Sequence, residues 1–141
     1  MDANELARRV ARSMLAAEGT GPAWGLTIEE VREDYARVSM PVRADMLNGH
    51  GFAHGGMIFA LADSAFAYVC NGANHASMAA QASIVFLDKV REGEVLIAEA
   101  AEVAREGRAG VTRVTVRADD GRTVAEFTGY SRTLGGAVLP D

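Results

Sequence analysis

Residues 54–71 read HGGMIFALADSAFAYVCN, and the reading of this stretch decides the fold. Met57, Ile58, Phe59, Leu61, Ala65, Phe66 and Val69 surround the whole circumference of a helix, the pattern of a buried helix. Four alanines (Ala60, Ala62, Ala65 and Ala67) keep that helix thin enough for a sheet to approach closely. Outward from it the period changes. Upstream, Ala36, Val38, Met40 and Val42 alternate with Tyr35, Arg37, Ser39 and Pro41, the period of a half-buried strand. Leu26, Ile28 and Val31 suggest another strand before it. Downstream, Thr112, Val114 and Val116 alternate with Arg113, Thr115 and Arg117. Asp120-Gly121 then turns the chain into a run whose Ala125, Phe127 and Gly129 share a face, a hairpin signal. Two more strands are expected at Met78–Leu87 and Val95–Arg105. The segment Ala3–Glu18 places Leu6, Val10, Met14 and Leu15 at helical spacing, with Asp2 or Asn4 as its cap and Gly19-Thr20-Gly21-Pro22 as its stop. The expected fold class is α+β: a short N-terminal helix and an antiparallel sheet curled around a central helix.

The chain of 141 residues carries 14 Lys+Arg against 19 Asp+Glu, a net charge of −5, with 49% hydrophobic and 23% charged residues. That is the composition of one globular domain, taken as residues 1–141 with its core at about 25–136. An acidic chain without a basic run is a poor match for nucleic acid. The longest apolar run, Met57–Cys70, is shorter than the ~20 residues of a membrane span and contains Asp63. No charged start leads into an apolar run, so no secretory signal is expected, and a reducing, cytoplasmic setting follows. Cys70, the one cysteine, lies in the apolar run Tyr68-Val69-Cys70 and reads as a small buried hydrophobe. No pair of histidines has metal-ligand spacing, so no metal site is expected.

Asp63 is the residue that propensity does not explain. An ionised carboxylate in an apolar helix costs several kcal/mol unless it is paired, hydrogen-bonded or open to a cleft. Asp63 therefore either faces solvent, bonds nearby backbone, or serves in a cleft as general base or nucleophile. His54-Gly55-Gly56 is either a simple turn or a helix start whose first-turn amides hold a developing oxyanion. Eight residues separate Gly55 from Asp63, about 12 Å along an ideal helix. One carbonyl cannot touch both within one chain. If both act on one substrate, Asp63 comes from a second subunit, and the protein is a dimer with two composite sites about a two-fold axis. Asn48 either orients a water or carboxylate or shapes the turn, and His54 either supports the site or fixes the loop backbone. His50 and His75 read as solvated loop residues.

The pattern Asn48-x5-His54-Gly55-Gly56-x6-Asp63 resembles the signature of the hotdog-fold thioesterases of the PaaI type, acyl-CoA thioesterases associated with phenylacetate degradation. The likeness runs over roughly residues 33–136, including the strand ASIVFL and the closing Ser131-Arg132-Thr133-Leu134-Gly135-Gly136. It implies a curved antiparallel sheet around one long helix, and a homodimer or a homotetramer of two dimers. It implies hydrolysis of acyl-CoA thioesters, aryl-acetyl esters such as phenylacetyl-CoA or its hydroxylated derivatives, with coenzyme A as part of the substrate and no separate cofactor. The resemblance carries the oxyanion-binding amide onto Gly55 and the catalytic carboxylate onto Asp63 of the opposite subunit. Asn48 falls on the position that helps place the water or carboxylate, and His54 on a residue supporting the thioester site. One departure stands out. Related enzymes often hold the water with a Ser or Thr at the start of the following strand, where this chain has Ala79, with Ser77, Gln81 and Ser83 as possible substitutes. A hotdog hydratase or dehydratase would carry an Asp-x-Asn-Pro-aliphatic-His pattern or a Pro-rich His loop, and neither occurs. A non-catalytic acyl-CoA-binding module should lack Asp63. Phe59 and Phe66 are candidates for lining an acyl slot, and Arg43, Lys89, Arg91, Arg105 and Arg132 for meeting the coenzyme A phosphates.

Overall fold

The structure, a computed structural model, describes residues 1–140. Its elements follow in the order α1 (Ala3–Ala17), α2 (Thr20–Trp24), β1 (Thr27–Arg32), β2 (Tyr35–Pro41), a single 3-10 turn (Ala44–Met46), α3 (Gly55–Cys70), β3 (Ser77–Phe86), β4 (Val95–Glu106), β5 (Ala109–Ala118) and β6 (Thr123–Thr133). The strands make one six-stranded sheet in the order β1-β2-β4-β5-β6-β3, every pairing antiparallel. Register shifts at Ile28/Glu30, Ala79/Gln81, Glu102/Ala104 and Val116/Arg117 add twist, and the sheet bends around α3.

The core is the seam between α3 and the concave face. Ile58, Leu61, Ala62, Ala65, Phe66 and Val69 point from α3 onto Ala36, Val38, Met40, Leu96, Ala98, Ala100, Val114, Val116 and Phe127, all buried. The small side chains of α3 and β4 let backbone approach backbone. The closest fit is at Gly129, where a β-carbon would lie 2.6 Å from the ring of Phe66. Phe66 is buried and held in turn against Phe127, ring centroids 5.9 Å apart. Gly129→Ala is therefore expected to destabilise the protein by about 2 kcal/mol through overpacking. A lowered urea midpoint would show it, and an unchanged midpoint would contradict it.

The alternation found in the sequence is present in β2 and β5, and Asp120-Gly121 forms the expected turn, with Gly121 at φ +94°. Two local expectations need refining. Asp2, not Asn4, caps α1, its Oδ1 accepting from Glu5 N at 2.8 Å, while Asn4 Oδ1 accepts from Glu33 N at 2.9 Å. The stop at Gly19–Pro22 ends α1 but opens one further helical turn, α2. The central helix is also buried on one side only: Met57, Phe59, Ala60, Asp63, Ser64 and Ala67 are half-buried.

Arg122, at the start of β6, ties down the loop between β3 and β4. It donates from Nε to Asp120 at 2.8 Å and from Nη1 to Asp88 at 3.2 Å and the Lys89 carbonyl at 3.0 Å, and from Nη2 to Glu94. This clamp fixes residues 88–94 beside the start of α3.

Candidate active site

The approach to α3 is a tightly bonded loop. Asn48 Oδ1 accepts from the amides of His50 (2.9 Å) and Phe52 (3.2 Å), and Asn48 N donates to the Phe52 carbonyl at 2.7 Å. His54 N donates to the Met46 carbonyl at 2.8 Å. His54 is extended (φ −62°, ψ 135°) and caps the helix: its Nδ1 accepts the Gly56 N–H at 2.9 Å, and its carbonyl accepts from Met57 and Ile58. An accepting Nδ1 places the ring proton on Nε2. A β-carbon on Gly56 would sit 3.0 Å from that Nδ1, which accounts for the second glycine.

The bonds of His54 satisfy every first-turn amide but one. The Gly55 N–H has no acceptor among the described residues, and Gly55 opens onto a cavity of about 480 Å³ that also takes in Asn48, His50, Phe52, Ile58, Phe86 and Lys89. A free amide at a helix start, backed by the helix dipole, is a ready donor to an anion. Phe86 of β3 lies over it, so that a β-carbon on Gly55 would come 3.1 Å from Phe86 Cζ. Chemistry rather than size distinguishes this cavity. A groove of about 410 Å³ between α1 and β1 is lined by Arg8, Arg12 and Arg32, whose guanidiniums are engaged by Glu5 and Glu30.

Asp63 lies two turns along α3, half-buried, with no hydrogen-bond partner among the described residues. Burial pushes its carboxyl pKa up from the ordinary 3.8. It does not line the Gly55 cavity, in keeping with the helical distance of about 12 Å. Within one chain, then, Asn48, His54 and Gly55 come together and Asp63 stands apart. Asn48 spends its carbonyl oxygen on the loop turn and keeps only its amide NH2 for a ligand.

Other candidates sort plainly. Cys70 is buried and its thiol is pushed up to about 12 by desolvation, so it is no nucleophile at neutral pH. Phe66 is core, whereas Phe59 is half-buried and meets Phe127 edge-on at 5.3 Å. Ser77 Oγ is committed to the His75 carbonyl at 2.9 Å and faces Thr133 Oγ1 at 3.3 Å, while Gln81 and Ser83 are exposed. Ala79 pairs across the sheet with Ser131, whose hydroxyl is buried without a hydrogen-bond partner among the described residues. Among the described residues no three His, Cys, Asp or Glu side chains group as metal ligands. Phe52 and Phe86 were not legible as site residues, because only tertiary contact brings them to Gly55.

A six-stranded antiparallel sheet wrapped on one helix, with a free glycine amide at that helix's start, defines a class, and comparison with known proteins gives it a name. The chain belongs to the Thioesterase superfamily, whose sequence model matches residues 50–125. Within it the likeness is to PaaI: the chain is 39% identical to the Escherichia coli acyl-coenzyme A thioesterase PaaI over 129 residues, 91% of each protein. The structure of E. coli PaaI, from the phenylacetic acid degradation operon, superposes with a TM-score of 0.94 at 36% identity, covering 96% of this chain and 99% of that one. A variant of the phenylacetic acid degradation protein PaaI from Thermus thermophilus gives 0.80 at 36% identity, covering 83% and 100%. A hypothetical thioesterase protein from Streptococcus pneumoniae, solved with coenzyme A, gives 0.77 at 27% identity, covering 79% and 90%. The fold is the hotdog, and the protein is a thioesterase.

Proposed function

We propose that this protein hydrolyses acyl-CoA thioesters, aryl-acetyl-CoA such as phenylacetyl-CoA or its hydroxylated derivatives, in phenylacetate catabolism in the cytoplasm. The observation that carries the reading is the free Gly55 amide on the floor of a cavity, in a helix that also bears a desolvated, unbonded carboxylate. In this reading the thioester oxygen accepts from Gly55 N–H as negative charge develops on it. Asp63 of the partner subunit removes a proton from water, the water oxygen bonds the acyl carbon, and the carbon–sulfur bond breaks with return of the proton to the thiolate. A carboxyl whose pKa lies above its ordinary value is the stronger base, which favours this role over direct attack. Single turnover in heavy-oxygen water separates the two, since attack by Asp63 would leave the label on its own carboxylate. Asn48 and His54 act on the loop: His54 aims the Gly55 amide by bonding its neighbour, and the Asn48 NH2 faces the ligand.

Two features support a dimer with composite sites. β3 is an edge strand of ten residues, and Met78, Val85 and Phe86 are 61%, 59% and 50% exposed along it. A long apolar edge of this kind invites pairing with another strand. A second copy related by a two-fold axis would join its β3 to this one and lay the half-buried face of α3, with Ala60, Asp63, Ser64 and Ala67, against its own. Val85→Lys is expected to shift the protein from dimer or tetramer toward monomer in sedimentation and to abolish turnover with it. A fully active monomer would overturn the composite site. The central test is thiol release from a panel of short-chain, long-chain and aryl-acetyl CoA esters. Turnover is expected throughout the aryl-acetyl set, and its absence from all three sets would overturn the reading.

A further inference from the structure

Hydrolysis of a thioester has to give a proton to the departing sulfur as well as take one from water. Four polar side chains line the Gly55 cavity: Asn48, His50, Asp88 and Lys89. The Asn48 carboxamide is not an acid. Asp88 is held as a carboxylate, because Oδ1 accepts the Lys89 N–H at 2.8 Å and Oδ2 accepts from Arg122 at 3.2 Å. These bonds, the backbone one first, keep its pKa below the ordinary value. A lysine ammonium ordinarily titrates at about 10.4 and an alkyl thiol at about 8.5, so proton transfer from ammonium to thiolate runs uphill. An imidazolium, ordinarily at about 6.5, gives its proton to the same thiolate downhill. His54 does not line the cavity, and its Nδ1 is spent on the Gly56 N–H at 2.9 Å. His50 remains. In the sequence it reads as a solvated loop residue, but the loop is built to present it. Leu47 and Ala53 bridge its base, and Gly51 N donates to the Asn48 carbonyl at 3.1 Å, with Gly51 at φ +84°. His50 stands at the tip of this turn with its own N–H bonded to Asn48 Oδ1 at 2.9 Å. Its exposed ring makes no hydrogen bond or ion pair among the described residues.

We infer that His50 is a further catalytic residue, the general acid that protonates the departing thiolate. A coenzyme A ester enters a cavity of about 480 Å³ by its acyl end and leaves its long arm at the mouth. Its sulfur then lies between the Gly55 floor and the exposed His50 ring. The pinned backbone of the loop limits the search of that ring to its own side-chain rotations, so little ordering is needed when the sulfur arrives. In the bond-breaking step the carbon–sulfur electron pair goes to sulfur, and an imidazolium N–H of His50 passes its proton to the same atom. The products are the thiol, the carboxylic acid and a neutral imidazole. Asp63 of the partner subunit, which holds the proton taken from water, releases it to solvent, and His50 takes one up, so the proton balance closes. Base and acid thus come from different chains, as do base and oxyanion donor. This inference rests on the acyl-CoA reading for its substrate, and its test separates the two.

The test compares leaving groups in the whole protein and in His50→Gln. One substrate is phenylacetyl-CoA, whose alkyl thiolate needs a proton. The other is the phenylacetyl thioester of 4-nitrothiophenol, whose aryl thiolate is stable without one. His50→Gln is expected to lower kcat on phenylacetyl-CoA about a hundredfold, the effect of losing a positioned general acid. The same variant is expected to hydrolyse the aryl thioester at the parental rate, which also reports that its fold and its Gly55 and Asp63 groups are intact. Across a series of alkyl and aryl thioesters, log kcat should fall more steeply with leaving-thiol pKa in His50→Gln than in the parent. A residue that merely shaped the loop would lower both rates together and leave that slope alone. Equal losses on the two esters, an unchanged rate on phenylacetyl-CoA, or parallel slopes would overturn the assignment and leave the acyl-CoA reading standing. Hydrolysis of neither ester by the parent would overturn both.

Discussion

Replacing Asp63 with asparagine is expected to lower kcat about a thousandfold, the usual worth of a positioned general base, while making the protein more stable at neutral pH. The two effects share a cause. Burial raises the Asp63 pKa, so the ionised form that the proposed chemistry needs is the form that folding disfavours. The penalty is present above the folded pKa and fades as pH falls through it and the carboxyl gains its proton. The thermal midpoint of Asp63→Asn should therefore exceed that of the parent at pH 7, and the gap should close on acidification. In the parent, the acid limb of kcat/KM should fall with a midpoint above 3.8. Wild-type turnover in Asp63→Asn, or lower stability at pH 7, would contradict the assignment.

The second large effect concerns the amide. A side-chain substitution leaves a backbone N–H in place, but proline deletes it, and Gly55 is the first residue of α3, where helices tolerate proline best. His54 already has the extended backbone required before proline, at ψ 135°. The proline β-carbon would press Phe86 back by a few tenths of an ångström. Gly55→Pro is thus expected to keep its helix content and lose about a hundred- to a thousandfold in kcat, the cost of removing one oxyanion donor. Mixing it with Asp63→Asn gives the decisive outcome. Random exchange makes about half the dimers mixed, and each mixed dimer holds one site with both groups intact, so about a quarter of parental activity should return. No recovery on mixing would mean that each chain completes its own site.

The central helix was legible because its circumference is apolar and a histidine and two glycines precede it; these signals are local. The β5–β6 hairpin was legible for the same reason. What escaped depends on distant contact. Thr20–Trp24 reads as a turn because Gly21 and Pro22 are poor helix formers, yet Gly21 is buried beneath Leu15 and Glu18, where a β-carbon would lie 2.6 Å from Leu15 Cδ1, and that packing favours a helical turn. The residues of the site divide likewise. The family resemblance put Gly55, His54 and Asn48 in one candidate site, and helical spacing kept Asp63 apart from Gly55. No pattern in β3 showed that Phe86 would cover Gly55. The exposure along β3 is equally invisible in the sequence, where Ile84-Val85-Phe86 reads as an unbroken apolar run fit for a buried strand.

The position of Phe86 joins two properties that mutation would otherwise adjust separately. Its ring sits above the cleft floor, yet its backbone belongs to the rim strand by which copies of the molecule would recognise each other. A smaller residue there, chosen to admit a bulkier acyl group, also redraws that rim. Diversification of substrate range in such a protein would therefore be accompanied by diversification of quaternary structure.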